Sequence, residues 1–183
     1  MYNEKQRAEL LIVAKTSIWH GLNHGKPLLP ALENYDPELR EYRASFVTLH
    51  KQGQLRGCIG SLKALRPLVE DICENAYAAA FNDPRFPALQ QAELEELEIS
   101  ISVLTPASEM SFESEQDLLE QIRPGVDGLI MQEGNRRGTF LPSVWEQLPD
   151  PVEFLQHLKL KTGLSMDYWS DTIRVSCYQT ESF

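Results

Sequence analysis

Residues 45–60 read SFVTLHKQGQLRGCIG, and this stretch decides the fold class. Two β-prone runs, 45–50 and 55–60, flank the connection Lys51-Gln52-Gly53-Gln54, whose glycine suits a turn. Such a pattern is typical of a β-hairpin. A hairpin requires antiparallel pairing, so the pattern argues against a doubly wound parallel sheet.

Helical and strand patterns alternate irregularly along the rest of the chain. The spacing of apolar residues and the residues typical of helix ends predict four helices, over 4–20, 65–81, 114–122 and 151–162. Alternating apolar residues predict strands over 97–104 and 173–177. Residues 126–132 and 138–141 predict a second hairpin. We expect Gly21 to end the first helix and 21–44 to form an irregular connection. The chain therefore predicts an α+β fold, a mostly antiparallel sheet with packed helices.

The net charge disfavours two classes of partner. The chain has 17 Lys and Arg against 27 Asp and Glu, which gives a formal net charge of −10. Nucleic acids and anionic membrane surfaces are bound mainly by clustered basic residues, so both are disfavoured as partners. No apolar run approaches the roughly 18 residues that a bilayer span needs.

The cysteines indicate a reducing compartment. Cys58, Cys73 and Cys177 are an odd number without a C-x-x-C pair, and no signal-peptide pattern opens the chain. We expect free thiols and a cytoplasmic location. Cys73 and Cys177 fall on apolar faces of their elements and are expected in the core.

No pattern in the sequence indicates a metal or a cofactor. His20 and His24 are four residues apart, but Gly21 is expected to interrupt the helix and no third ligand is near in sequence. The chain contains neither glycine-rich nucleotide-binding motif and no cysteine triplet for an iron–sulfur cluster. We therefore expect neither a metal nor a cofactor.

Seven stretches, in collinear order over nearly the whole chain, resemble the AMMECR family, also called AmmeMemoRadiSam system protein A. They are SFVTL at 45–49, LRGCIG at 55–60, NDPRFPAL at 82–89, LEISISVLTP at 97–106, GVDGLI at 125–130, RGTFLP at 137–142 and KTGL at 161–164.

The resemblance implies a single AMMECR-type domain over 1–183, with a larger and a smaller lobe and a cleft between them. It implies no particular reaction. Relatives are grouped with a Memo-like protein, itself similar to ring-cleaving dioxygenases, and with a radical SAM protein, so both are implied as partners. Many relatives carry a cysteine near the Lys-x-Gly-Leu segment, and His157-Leu158-Lys159-Leu160 offers none here. A mechanism that needs that thiol is therefore excluded.

The first hairpin supplies the first candidate site residues. Arg56 and Cys58 are two residues apart on a strand, so their side chains are predicted to share a face, where a guanidinium favours the reactive thiolate. Gly57 and Gly60 leave backbone open to a ligand. The alternative is packing, with Arg56 pairing a carboxylate and Gly57 making room for a helix.

The register decides whether a histidine can reach the thiol. If His50 faces Leu55, then Val47 faces Cys58 and Thr48 faces Gly57. His50 and Cys58 would then lie on opposite faces unless a bulge intervenes.

Four further charged residues complete the candidate site. Asp83 could orient Arg85 or Arg56, and Arg85 could bind a carboxylate or a phosphate; the alternative is a helix stop with a local ion pair. Glu98 could be a general base or a partner of Arg56, and otherwise a solvated side chain. Arg137, beside a predicted turn, could capture an anion.

Three functions stay open from the sequence. The first is an enzyme or ligand-handling subunit of a radical-SAM- and Memo-associated pathway that binds an anionic small molecule in the cleft. Its candidate catalytic residues are Cys58 and Glu98, and its candidate ligand-binding residues are Arg56, Gly57, Gly60, Asp83, Arg85 and Arg137. The second is a non-catalytic adaptor that docks a Memo-like or radical SAM partner. The third, a nucleic-acid-linked regulatory module, is disfavoured by the net charge.

Overall fold

The computed structural model describes residues 1–183 and contains four α-helices and two four-stranded sheets. The α+β prediction is confirmed. The chain divides into two compact units, residues 1–104 with 181–183 and residues 105–180. No helix combines the length and the apolar character needed to cross a bilayer.

The first unit packs two helices on one sheet. The helices are α1 (Glu4–His24) and α2 (Leu68–Phe81), and the strands are β1 (Ser45–Lys51), β2 (Gln54–Gly60), β3 (Leu97–Leu104) and β8 (Thr180–Ser182). The sheet order is β2-β1-β3-β8, so β2 is an edge strand. The core joins apolar side chains of both layers, among them Leu10, Ile18, Val47, Ile72 and Ile101.

The end predicted for the first helix is wrong. Gly21 lies inside α1, which continues to His24 and ends at Gly25 in a left-handed conformation, with φ at 67°. A Cβ on Gly21 would run into the rings of Tyr77 and Phe81 on α2. Gly21 is therefore a packing glycine that lets the two helices approach, and Gly25 is the C-terminal cap.

The second unit packs helices on its own sheet. Its strands, β4 (Ser108–Glu109), β5 (Gly128–Glu133), β6 (Arg136–Phe140) and β7 (Arg174–Tyr178), are arranged β4-β7-β5-β6. The predicted second hairpin is confirmed as β5–β6. The helices α3 (Glu115–Gln121) and α4 (Pro151–Thr162) complete the unit. Phe154 of α4 stacks on Trp145 with ring centroids 3.7 Å apart in the core.

The predicted register of the first hairpin is wrong beyond its turn. His50 faces Leu55 as predicted, but the pairing then shifts, so that Leu49 faces Gly57 and Thr48 faces Cys58. Arg56 is the extra residue of this β-bulge. A bulge moves every later residue of the strand by one position relative to its neighbour strand. Cys58 therefore lies on the same face as Thr48 rather than on the opposite face.

Candidate functional site

The thiol of Cys58 lies on the sheet face that does not contact α2. The Thr48 hydroxyl on β1 donates to Cys58 Sγ at 3.3 Å. His50 shares this face two residues along β1, and no hydrogen bond joins it to Cys58. The thiol is half-buried. The hydrogen bond to the thiol thus comes from a hydroxyl group, and neither His50 nor Arg56 makes one.

Asp83 holds the edge of β2. Its carboxylate lies just beyond the end of α2, is 2% exposed, and accepts the Cys58 backbone N–H at 2.9 Å. It also accepts three hydrogen bonds from Arg85: from Nε at 2.9 Å, from Nη2 at 2.7 Å and from the backbone N–H at 3.1 Å. The hydrogen bonds from Arg85 hold the pKa of the Asp83 carboxyl well below its usual range. Asp83 thus contacts Arg85 rather than Arg56, and this contact is at the same time a local ion pair just beyond the end of α2.

Arg85 is fixed and yet accessible. Its side chain is 53% exposed, although Asp83 holds Nε and Nη2, and Nη2 also donates to the Cys58 carbonyl at 3.3 Å. The guanidinium carbon lies 5.4 Å from the centre of the Phe86 ring. Nη1 makes no hydrogen bond with the protein. The side chain therefore presents an oriented donor to solvent.

Arg56 is engaged with a residue that the sequence did not single out. The Glu93 carboxylate accepts hydrogen bonds from Arg56 Nε at 3.0 Å and from Arg56 Nη2 at 3.1 Å. The Pro87 carbonyl accepts another from Arg56 Nη2 at 2.9 Å. Nη1 is buried without a hydrogen-bond partner. The hydrogen bonds from Arg56 lower the pKa of Glu93 to about 2. Glu93 is one of four glutamates over 93–98, and no spacing rule separates it from the others.

The two glycines of the hairpin are covered by the chain itself. A Cβ on Gly57 would collide with the Ala79 carbonyl of α2, and a Cβ on Gly60 would collide with the Phe46 ring. At Gly57 this is the packing alternative, with the glycine making room for a helix. No ligand needs to approach either position to explain the absence of a side chain.

Neither Glu98 nor Arg137 makes a hydrogen bond or an ion pair with Asp83 or Arg85. Glu98 is exposed on β3, opposite His50, and makes no ion pair. Arg137 belongs to the second unit, where it is exposed on β6 opposite Gln132 and makes no ion pair. The residues that the structure brings together at the edge of β2 are therefore Cys58, Asp83 and Arg85.

The remaining cysteines and the histidines form no such group. Cys73 is fully buried on α2, and burial raises its pKa to about 12. Cys177 is half-buried against the core of the second unit. The rings of His20 and His24 lie 4.4 Å apart, but no three His, Cys, Asp or Glu side chains are placed to hold a metal ion.

Comparisons with other proteins give consistent matches over nearly the whole chain. The sequence model of the AMMECR1 family matches residues 11–183. A protein of Methanothermobacter thermautotrophicus is 39% identical over 177 residues, covering 95% of this chain and 91% of the relative. A protein of Methanopyrus kandleri is 40% identical over 171 residues, covering 90% and 81%. The crystal structure of an uncharacterised protein from Pyrococcus horikoshii superposes with a TM-score of 0.88 at 33% identity, covering 98% and 91%.

Proposed function

The chain belongs to the AMMECR1 family, and we propose that it binds a small anionic molecule at the edge of β2, with Arg85 as the contact. The observation that carries the proposal is the state of the Arg85 side chain. Asp83 holds it with two side-chain hydrogen bonds, while it remains 53% exposed with Nη1 unbonded. A fixed, exposed guanidinium offers a directed donor to a carboxylate or a phosphate.

Preorganisation is the physical reason for choosing Arg85. A free arginine loses about 1.5–2 kcal/mol of side-chain entropy when it is immobilised. Asp83 has already restricted the rotamers of Arg85 in the folded protein, so an incoming anion meets less of this cost. Since the Asp83 charge compensates the Arg85 charge, the attraction comes from aimed N–H groups rather than from a basic patch. This agrees with the net charge of −10.

The surroundings of Arg85 support a small ligand. The Phe86 ring lies beside it and beside Arg56, whose guanidinium carbon is 6.0 Å from the ring centre. The Cys58 carbonyl accepts a hydrogen bond from Arg85, so the Cys58 main chain is part of the same edge. Cys58 is the candidate reactive group of this function, whereas Glu98, on β3 opposite His50, is not among the residues gathered at Arg85.

The proposed setting is the pathway that the resemblance implies, with a Memo-like protein and a radical SAM protein as partners. A ligand-handling subunit would form a complex with one of them that depends on the anion. A non-catalytic adaptor would form the same complex whether or not the anion is present. Gel filtration of the purified proteins, with and without the anion, separates these two functions.

The binding experiment follows backbone amide signals of 15N-labelled full-length protein during titration with inorganic phosphate and with succinate. We expect saturable shifts at the amides of Cys58 and Arg85 for at least one of the two anions. Arg85→Gln should weaken that binding at least tenfold, roughly the value of a charge-assisted hydrogen bond. Lys63→Gln removes an exposed positive charge from the same unit and should leave binding unchanged.

Two results would overturn the proposal. One is the absence of saturable shifts at these amides for both anions. The other is a loss of binding in Arg137→Gln that Arg85→Gln does not produce, since the anion would then be held by the second unit.

A further inference from the structure

The second unit has a depression of about 370 Å³ on its surface. It opens where two neighbouring chain segments separate. Strand β4 pairs with β7 up to Met110, whose N–H donates to the Val175 carbonyl at 2.8 Å. Residues 109–113 line one side of the depression, and residues 169–171 with 173–174 line the other. The volume lies at the lower end of the range for small-molecule sites.

Aromatic side chains line the depression. Phe112 and Trp169 both line it and contact each other, with ring centroids 5.7 Å apart and planes tilted by 55°. Both are half-buried and pack against the core of the unit. The ammonium group of Lys159 already lies 5.7 Å from the centre of the Trp169 ring. Its charge is compensated by Glu115, whose Oε1 is 2.6 Å from Nζ.

The charged residues that line the same depression are mostly acidic. Three are acidic, Glu109, Glu113 and Asp171, and one is basic, Arg174. Arg174 Nε forms a long ion pair with Glu109 Oε1, at 3.5 Å, and both side chains are mainly exposed. The side-chain carboxylates of Glu113 and Asp171 make neither an ion pair nor a hydrogen bond. Two acceptors are therefore free beside two aromatic rings.

A partly buried carboxylate, that of Glu133, fixes the 169–174 side and adds to its negative potential. Glu133 Oε1 accepts the hydroxyl groups of Tyr168 at 3.1 Å, Ser170 at 3.1 Å and Thr172 at 2.7 Å. Its Oε2 is buried and has no hydrogen-bond partner. These bonds hold the segment that carries Trp169 and Asp171, so the two groups are preorganised.

We propose that this depression binds a small organic cation, an ammonium group attached to an apolar body. Aromatic faces attract cations through their quadrupole, and exposed carboxylates accept hydrogen bonds from ammonium groups. The apolar body would pack against the solvent-accessible parts of the Phe112 and Trp169 rings, which contact each other. This site is independent of the anion site at Arg85, because none of its residues takes part in that site.

The test uses benzylammonium as the probe and benzyl alcohol as its uncharged match, with amide signals of the full-length protein as the readout. We expect benzylammonium to shift the signals of 110–113 and 169–174 saturably. The double variant Glu113→Gln and Asp171→Asn should raise its Kd about five- to tenfold. Glu146→Gln, an exposed glutamate of the same unit, should leave the Kd unchanged.

Three results would overturn the proposal. Equal affinity for benzyl alcohol would show an apolar crevice with no preference for a cation. An equal loss in Glu146→Gln would show only a response to net charge. Absence of saturable shifts at these amides up to the solubility limit of benzylammonium would show that the depression is not a site for this class.

Discussion

The Asp83 carboxylate and the Cys58 main chain are joined at the edge of β2. Asp83 Oδ2 accepts the Cys58 N–H at 2.9 Å, and the arginine that Asp83 orients, Arg85, donates to the Cys58 carbonyl at 3.3 Å. An edge strand exposes unpaired N–H and C=O groups to other chains. Here the Asp83-Pro84-Arg85 segment occupies both groups of one residue, so the contact that protects the edge also positions the proposed anion-binding side chain.

Removing the Asp83 charge should weaken this edge. Asp83→Asn keeps the volume but replaces a buried carboxylate that accepts four hydrogen bonds. We expect the free energy of unfolding to fall by about 2–3 kcal/mol, since hydrogen bonds to charged groups contribute most when buried. Urea unfolding of the full chain measures this. Glu33→Gln, at an exposed position of the same unit, should change it by less than about 0.5 kcal/mol. Equal effects of the two variants would contradict the role given to Asp83.

The Arg56–Glu93 pair should make stability depend on pH in acid. The pKa of Glu93 is lowered from 4.5 to about 2 in the folded chain, chiefly by its hydrogen bonds to Arg56. A lowered folded-state pKa adds stability that is fully present above the unfolded value and is lost as pH falls through the folded value. The free energy of unfolding of the wild type should therefore exceed that of Glu93→Gln by the largest amount at neutral pH.

The measurement is urea unfolding of wild type and Glu93→Gln at pH 7 and at about pH 3. The gap between the two proteins should narrow at the lower pH, while the other carboxylates affect both proteins alike. A gap that stays constant would show that Glu93 is not held in its charged form by Arg56.

The helices and most strands are predictable because their patterns are strong and local. β3 occupies 97–104 as its alternation predicts, and α4 begins after Asp150 and ends before Gly163, as its capping residues predict. The two-residue strand β4 is too short for a pattern. The end of α1 is missed because a glycine within a helix can serve tertiary packing, and Gly21 contacts α2, which begins 47 residues later.

The candidate site is predictable only in part, for a similar reason. The Asp83–Arg85 pair is local and is anticipated from the sequence. The bulge at Arg56 is not, because 55–60 lacks a clean alternation that would fix the register on both sides of it. The shift moves Cys58 to the Thr48 face and leaves Arg56 with Glu93, a partner 37 residues away.

The cysteines should differ in reactivity with iodoacetamide. Burial raises the pKa of Cys73 to about 12, so roughly one Cys73 thiol in ten thousand is ionised at about pH 8. Cys58 is half-buried and accepts a hydrogen bond from the Thr48 hydroxyl, which fixes the position of the sulfur. We expect Cys58 to react faster than Cys73, as measured for each residue by mass spectrometry. Thr48→Val should slow Cys58 about two- to fivefold, and Thr48→Ser should not. Equal rates in the two variants would leave the hydroxyl without a role.

Because the ammonium group of Lys159 is buried, removing its partner Glu115 should destabilise the protein more than removing Lys159. Lys159 is fully buried, and Nζ contacts Glu115 Oε1 at 2.6 Å and the Met166 carbonyl at 3.1 Å. Glu115→Gln leaves a positive charge in the core without its counter-ion and should cost about 2 kcal/mol of unfolding free energy. Lys159→Met removes the charge, fills similar space and releases Glu115, which is one-third exposed, to water. It should cost less than about 1 kcal/mol. Urea unfolding of both variants decides the order, and a larger loss in Lys159→Met would mean that the ion pair itself stabilises the unit.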